Sequence, residues 1–369
     1  MDRDEVAQVL GIGPDQVRII PSAVGGGFGG KLDCSVQPLL AVAAWILEKP
    51  IRCTFTRPES LASSTKRHPA KMKGSASCDK DGTLTSLSFE GDFNTGAYAS
   101  WGPTVADRVP IHCSGPYFVP NILAKTRALL TNGPPSGAFR GFGVPQSAIA
   151  HEALMDSLAE QTGIDQLEFR LKNALRKGQI TGSGQLLENS AGQAECLEAL
   201  QSRWQEWRKA SEEFNNHSEI IKRGVGIGCC WYGCGNTSMS NPSTMRVGIN
   251  SEGTITLYNG AMDIGQGANT IMIQICAEAL GLPASSFQFI MGDTDLTADA
   301  GKTSASRQAF VSGRASQLAG EHLRTQIIHL AEAEEDANLH LDGSTLWVQD
   351  KNGEHTILLS DLLPRTNAD

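Results

Sequence analysis

The residues of this chain that could do chemistry are gathered in a few turns. The most unusual is Gly25-Gly26-Gly27-Phe28-Gly29-Gly30-Lys31, five glycines around one aromatic. Glycine loses the most backbone freedom on folding, so such a run persists where backbone must come very close to something. It follows an extended apolar segment at 16–24 and leads toward a helical pattern at about 37–48. A glycine turn before a helix offers free N–H groups to an anion. By letter it fits the dinucleotide fingerprint, Gly25-x-Gly27-x-x-Gly30, and the phosphate loop, Gly25-x-x-x-x-Gly30-Lys31, as far as the last position. That position needs a hydroxyl for magnesium, and Leu32 stands there. The next expected strand, 51–55, is followed by Thr56-Arg57 rather than by the acid that would hold a ribose. A tight structural turn is the plain alternative.

Three further turns have the same organisation. Gly137-Ala138-Phe139-Arg140-Gly141-Phe142-Gly143-Val144-Pro145-Gln146 again mixes glycine, phenylalanine and one cation before a helix, expected at 147–161. Residues 260–267 hold Asp263-Ile264-Gly265-Gln266-Gly267 before a helix at 268–280. Residues 301–308, Gly-Lys-Thr-Ser-Ala-Ser-Arg-Gln, precede a helix expected over 310–334. Four such turns suit an extended ligand held by many backbone N–H groups, more than a single phosphate requires.

The elements that must position these turns read as α+β. Helices are expected at 2–10, 37–48, 147–161, 165–173, 193–214, 268–280 and 310–334, from apolar residues at i, i+3, i+4 spacing and from caps such as Asp165. Strands are expected at 16–24, 51–55, a hairpin over 74–92 with its turn at Asp79-Lys80-Asp81-Gly82, two pieces within 117–130, and then 224–231, 245–250, 254–259, 287–291, 345–348 and 355–359. Residues 59–71 and 94–103 read as irregular. Polar residues 215–223 read as a linker, dividing a first domain, 1–214, from a second, 224–369.

Composition excludes several classes. The 369 residues are 40% hydrophobic and 19% charged, ordinary for a soluble protein with two cores, and the net charge of −9 argues against nucleic acid or an anionic membrane surface. The longest apolar run, at about 39–47, is too short to span a bilayer. Nine scattered cysteines and a polar first ten residues lead us to expect a cytoplasmic protein without a leader. Cys229-Cys230-x-x-x-Cys234 reads as thiols of a strand and loop, since no second cluster completes a metal site.

Taken together, Gly-Gly-Gly-Phe-Gly-Gly-Lys at 25–31, Ala-Phe-Arg-Gly-Phe-Gly-x-Pro-Gln at 138–146, Gly-Gln-Gly at 265–267 and Thr-Ser-Ala-Ser at 303–306 resemble the molybdopterin-binding part of the xanthine dehydrogenase and aldehyde oxidase family. Order and spacing agree across nearly the whole chain. Within that family the chain looks most like nicotinate dehydrogenase, through Gly30-Lys31-Leu32-Asp33, Lys66-Arg67-His68-Pro69, Thr95-Gly96-Ala97-Tyr98-Ala99-Ser100, Trp231-Tyr232-Gly233 and Gly235-Asn236-Thr237.

The resemblance implies two mixed αβ molybdopterin-binding domains, incomplete at both ends. It implies molybdopterin as cofactor, the dinucleotide form included, with iron–sulfur and flavin (FAD) centres on partner subunits. It implies insertion of water-derived oxygen into an electron-poor carbon of an N-heterocyclic aromatic such as nicotinate, or into an aldehyde carbon. The expected roles follow position by position. Gly27, Phe28 and Gly29 approach the metal's oxo ligand, Phe28 nearest. Arg140 lies by the metal–pterin group, and Gly265, Gln266 and Gly267 bind the pterin or its phosphate. Ala305 and Ser306 sit beside the metal, with Thr303 and Ser304 supporting the loop. Phe28, Arg140 and Ala305 are thus the surroundings of molybdenum rather than its side-chain ligands. Phe142 stacks on a flat substrate, and Arg108 faces the substrate to stabilise charge or clamp a carboxylate. Leu32, Asn236 and Thr237 complete the substrate list.

There are departures from the pattern. Purine-oxidising members carry an acid where Leu32 stands, which favours another heterocycle or an aldehyde. The family's glutamine loop is expected before residue 1 and its general-base glutamate beyond residue 369, so the chain alone is expected to bind cofactor poorly and be inactive. A non-catalytic assembly subunit and a nucleotide-binding protein are the competing readings.

Overall fold

The structure, a computed structural model, describes residues 2–235 and 240–362. The chain folds into two compact units that interleave in sequence. One comprises residues 28–33 and 55–232, the other 1–27, 34–54 and 233–369, so that residues 215–223 fall wholly within the former.

The unit containing 55–232 is built on a three-stranded sheet. Strands β1 (Ala70–Cys78) and β2 (Leu84–Gly96) pair antiparallel, and β2 pairs parallel with β3 (Asn121–Leu130). The turn between β1 and β2 is the expected one, held by Thr83 N–H donating to the Asp79 carboxylate at 2.9 Å. Parallel pairing requires a crossover, and helix α4 (Gly102–His112) supplies it, preceded in sequence by the short helix α3 (Arg57–Ser63). Helices α5 (Val144–Thr162), α6 (Gln166–Asn173) and α7 (Gln193–His217) complete the unit. Leu84, Leu87, Phe89 and Phe93 of β2 meet Val109 of α4, Met155 of α5, Phe169 of α6 and Trp204 of α7 in one core. Asp165 caps α6 as expected, accepting from the amides of Leu167 and Glu168.

The other unit begins with α1 (Asp2–Leu10), which packs on α2 (Gln37–Leu47). It repeats the same mixed pattern: β4 (Met245–Ile249) antiparallel to β5 (Ile255–Asn259), β5 parallel to β6 (Phe287–Met291), with α8 (Ala268–Leu280) as crossover. A five-residue π-turn, Gln308–Ser312, opens helix α9 (Gly313–Leu330), and α9 lies against α8 so closely that a Cβ on Gly320 would stand 2.6 Å from the Cys276 carbonyl oxygen. A meander, β7 (Asn338–Asp342), β8 (Thr345–Asp350) and β9 (Gly353–Leu358), covers the core formed by Ile255, Leu280, Ile327, Leu346 and Val348.

Several sequence expectations are corrected. Residues 16–24, 51–55 and 224–231 carry strand-like patterns but join no ladder among the described residues. Only 121–130 of the expected pair within 117–130 is a strand, Tyr117 making an isolated bridge with Ala174. The stretch 59–71, read as irregular, holds most of α3, and α4 begins at the end of the stretch 94–103 and runs through 104–112, where no element was expected. Strand β7 was not expected. No described helix is long and apolar enough to cross a membrane.

Candidate cofactor cradle

The glycine stretch is divided between the units, 25–27 belonging to one and 28–31 to the other. In the unit containing 55–232 the first turn meets the second. Gly29 takes φ +94°, and a Cβ there would stand 2.8 Å from the carbonyl carbon and oxygen of Ala138 and 2.9 Å from the Phe139 nitrogen. Only glycine lets these two backbones approach so closely. Phe28 holds a left-handed backbone at φ 53° and leaves its ring 59% exposed. Leu32 is half-buried and donates its amide to the Gly29 carbonyl at 3.1 Å.

The second turn is braced from the side. Arg67 donates from Nη2 to the Arg140 carbonyl at 2.5 Å, and its guanidinium lies 4.8 Å from the centre of the Phe139 ring. The Arg140 side chain is left exposed. Phe142 again has positive φ, 47°, and meets Trp101 edge-on at 6.4 Å. Gly143 sits on α4, where a Cβ would stand 2.8 Å from the Val105 carbonyl oxygen. The turn is thereby packed on the helix that carries Arg108.

Arg108 is buried, and its guanidinium carbon lies 4.6 Å from the centre of the Tyr232 ring. Burial raises the Tyr232 hydroxyl above its ordinary value, with the Arg108 charge opposing it. His112, one turn further along α4, stacks on Tyr232 at 6.0 Å and lies tilted against Trp231 at 4.7 Å, and burial pushes its pKa down. Tyr232 was not among the expected site residues, although the Trp231-Tyr232-Gly233 resemblance pointed at its neighbourhood.

In the other unit the third and fourth turns meet. Asp263 organises the third: its carboxylate accepts from the amides of Gly265 at 2.9 Å, Asn269 at 3.1 Å and Gly267 at 3.4 Å. Burial alone would raise its pKa, but these three donors hold it below the ordinary carboxylate value. Gln266 is committed to the same turn, accepting from Ile264 N–H at 2.7 Å and donating to the Met262 carbonyl at 3.1 Å. Thr303 ties the fourth turn to the third, its hydroxyl accepting from Met262 N–H at 2.9 Å. A Cβ on Gly27 would stand 3.1 Å from Ile264, so residues 25–27, the part of the glycine stretch in this unit, lie against the third turn.

Ala305 and Ser306 both take φ 54°. Their carbonyls are engaged, accepting from Gly235 N–H at 2.8 Å and from the Cys234 thiol at 3.1 Å. Buried Arg307 holds the turn from inside, donating to the carbonyls of Ala300 at 2.9 Å, Lys302 at 3.2 Å and Pro242. Ser304 donates its amide back to Lys302. Asp263 and Arg307 are organising residues that motif reading passed over. Asn236 and Thr237 lie outside the described residues.

Two features of these turns fit an anionic cofactor. Phe28, Phe142, Ala305 and Ser306 make up four of the seven described non-glycine residues with positive φ, so left-handed backbone concentrates at expected site positions. The amides of Gly27, Phe28, Gly29, Arg140, Gln266, Ala305 and Ser306 donate to no acceptor among the described residues. Unspent N–H donors on glycine turns are what an anionic group needs.

Comparison with known proteins agrees with this chemistry. Residues 1–174 and 198–362 each match a family described as a molybdopterin cofactor-binding domain. The chain is 47% identical over 197 residues, 53% of its length, to the nicotinate dehydrogenase large molybdopterin subunit of Eubacterium barkeri, covering 46% of that protein. It is 35% identical over 88% of its length to the xanthine dehydrogenase molybdenum-binding subunit of Escherichia coli O157:H7, covering 44% of it. The solved aldehyde oxidoreductase of Desulfovibrio gigas superposes with a TM-score of 0.82 at 29% identity, over 94% of this chain and 41% of that one. The chain belongs to the molybdopterin-binding family of xanthine dehydrogenases and aldehyde oxidoreductases. It spans less than half the length of these relatives.

Proposed function

We propose that this chain is the molybdopterin-binding part of a molybdenum hydroxylase acting on an N-heterocyclic aromatic carboxylate such as nicotinate. The carrying observation is the close backbone approach of Gly29 to Ala138–Phe139, which presents unspent amides beside exposed Phe28 and Arg140. In this reading Gly27–Gly29, Arg140, Gly265–Gly267 and Thr303–Ser306 hold the cofactor, their amides and the Arg140 guanidinium facing its anionic oxygens. When bound, the molybdenum supplies activation of water for oxygen insertion and takes up two electrons.

The chain's own residues bind and orient. Arg108, desolvated against Tyr232, presents a fixed positive charge for a substrate carboxylate or for negative charge on the ring. Phe142, with Trp101 at its edge, offers a flat apolar face for an aromatic ring. The 47% identity to a nicotinate dehydrogenase subunit supports this substrate class, and the aldehyde oxidoreductase likeness supports aldehydes as the second reading. Electrons leave to iron–sulfur and flavin partners, and the protein works in the cytoplasm.

The test is co-expression with the neighbouring coding sequences. Molybdenum content and dye reduction with nicotinate, benzaldehyde and xanthine are then measured. Nicotinate turnover well above the other two is expected. A metal-free complex, or one reducing dye only with xanthine, refutes the proposal.

A further inference from the structure

Arg108 can serve a substrate only if its guanidinium is held in one place, and the helix that carries it is interrupted two residues later. Pro110 has no N–H, so it cannot close the helical bond to the Ala106 carbonyl. The Thr126 hydroxyl of β3 donates there instead, at 2.9 Å. His112 secures the next turn. Its Nδ1 lies 3.0 Å from the Arg108 carbonyl oxygen, and since a carbonyl only accepts, Nδ1 carries the proton. The His112 carbonyl in turn accepts from the Ser147 hydroxyl of α5 at 2.7 Å.

The same imidazole faces the partner of the Arg108 side chain. It stacks on the Tyr232 ring at an interplanar angle of 24°, while the Arg108 guanidinium carbon lies 4.6 Å from the centre of that ring. His112 thus touches Arg108 at its backbone and Tyr232 at its ring, which are the two members of one cation–ring pair. Burial lowers its pKa, the bond to the Arg108 carbonyl opposes this, and the charges of Arg108 and of His151 on α5 add to it. At neutral pH the imidazole therefore sets no second positive charge beside the ring.

A role in the core alone does not account for an imidazole here. His112 is 1% exposed, and its Nε2 is buried with no hydrogen-bond partner among the described residues. That is a cost which leucine or phenylalanine would not carry. What those residues lack is the Nδ1 donor.

We propose that His112 is a positioning residue for substrate, acting through Arg108 and Tyr232 to fix the guanidinium in the orientation that receives a substrate carboxylate. The inference rests on the reading of Arg108 as the carboxylate's partner and deepens it by naming what sets its geometry.

The test is a double-mutant cycle in the co-expressed complex. Nicotinate Kd is measured by calorimetry on the dithionite-reduced protein, which cannot turn over, and kcat, molybdenum content and Tm are measured alongside. His112→Leu should weaken nicotinate roughly tenfold with kcat within about threefold, and Arg108→Gln should weaken it at least as much. On the Arg108→Gln background His112→Leu should add less than about threefold, because no guanidinium is left to position. His112→Asn keeps a donor for the Arg108 carbonyl and His112→Phe keeps a ring on Tyr232, so each should lose less than His112→Leu. Should His112→Leu not fold, His112→Asn takes its place in the cycle. Full additivity in the double variant overturns the positioning role, as does a wild-type Kd in His112→Leu where Arg108→Gln is impaired. A His112→Leu loss confined to molybdenum content and Tm overturns it as well, since that marks a purely structural residue. A wild-type Kd in Arg108→Gln fails the substrate reading itself and this inference with it, so the two failures leave different traces.

Discussion

The guanidinium of Arg108 lies 4.6 Å from the centre of the Tyr232 ring, although 124 residues separate them in sequence. A desolvated cation over an aromatic face is held by about 1–2 kcal/mol and, as important here, in one orientation. Tyr232→Leu in the assembled enzyme should therefore raise KM for a carboxylate substrate by roughly 5- to 30-fold with a smaller change in kcat. Tyr232→Phe, which keeps the ring, should stay near wild type. Steady-state kinetics of both variants decide it: equal losses in Leu and Phe would show that the hydroxyl, not the ring, matters.

Gly29 and Gly25 belong to the same run but differ in what they tolerate. Gly29 combines φ +94° with a backbone 2.8 Å from its missing Cβ, whereas Gly25 has neither a positive φ nor an atom within 4 Å. Gly29→Ala forces the first and second turns apart, a cost of about 2 kcal/mol or more before any ligand is considered. Gly25→Ala should be neutral. Metal analysis of the co-expressed complexes should find molybdenum lowered roughly tenfold or more in Gly29→Ala only. Equal occupancy in both variants would remove Gly29 from the cradle.

The carboxylate of Asp263 accepts three amides of the turn that feeds α8. Its removal leaves those donors to water and frees Gly265–Gly267 to move. Asp263→Ala should cost about 1–2 kcal/mol of stability, the scale of a lost helix cap, and should lower cofactor occupancy more than Asp263→Asn, which retains one acceptor oxygen. Because its native pKa is depressed, the stabilisation is present above the unfolded value of 3.8 and is lost as pH falls below it. Denaturant titration at pH 7 for the three proteins is the check, and a wild-type midpoint in Asp263→Ala would count against it.

How much of this was legible in the sequence differs by element. The four turns were, because glycine and left-handed backbone are local requirements that need no partner. The βαβ units were half legible: the pattern of β5, α8 and β6 stood out, but α4 was hidden by Gly102-Pro103 at its start and Pro110 within it. Helix α3 carried its own start signal, Thr56-x-x-Glu59 with Pro58 between, and the structure closes that capping box with Glu59 accepting from Thr56 N–H at 2.7 Å. Residues 51–55 alternate like a strand, but a ladder depends on a neighbour, which one segment's pattern cannot supply. Tyr232 was invisible as a site residue because its role is a contact with Arg108 on a distant helix. Asp263 and Arg307 act on backbone carbonyls and amides that carry no side-chain signature.

His68 offers a pH test of the unit built on β1–β3. It is buried, and its pKa is pushed down to about 4, first by burial and then by the charge of Arg67. Burial also lowers His112 and His151, the latter despite Glu152 beside it. All three are therefore neutral in the folded state at pH 7. The unfolded chain takes up protons below the ordinary histidine value of 6.5 while the folded state resists until about pH 4 for His68. Stability is thus complete above pH 6.5 and falls as pH drops through that window. His68→Asn removes one of the three groups, so its melting temperature should depend less steeply on pH between 7 and 5 than that of wild type, though it starts lower. Calorimetric scans across that range read the slope directly, and an unchanged slope would mean that His68 is charged in the folded protein or already solvated.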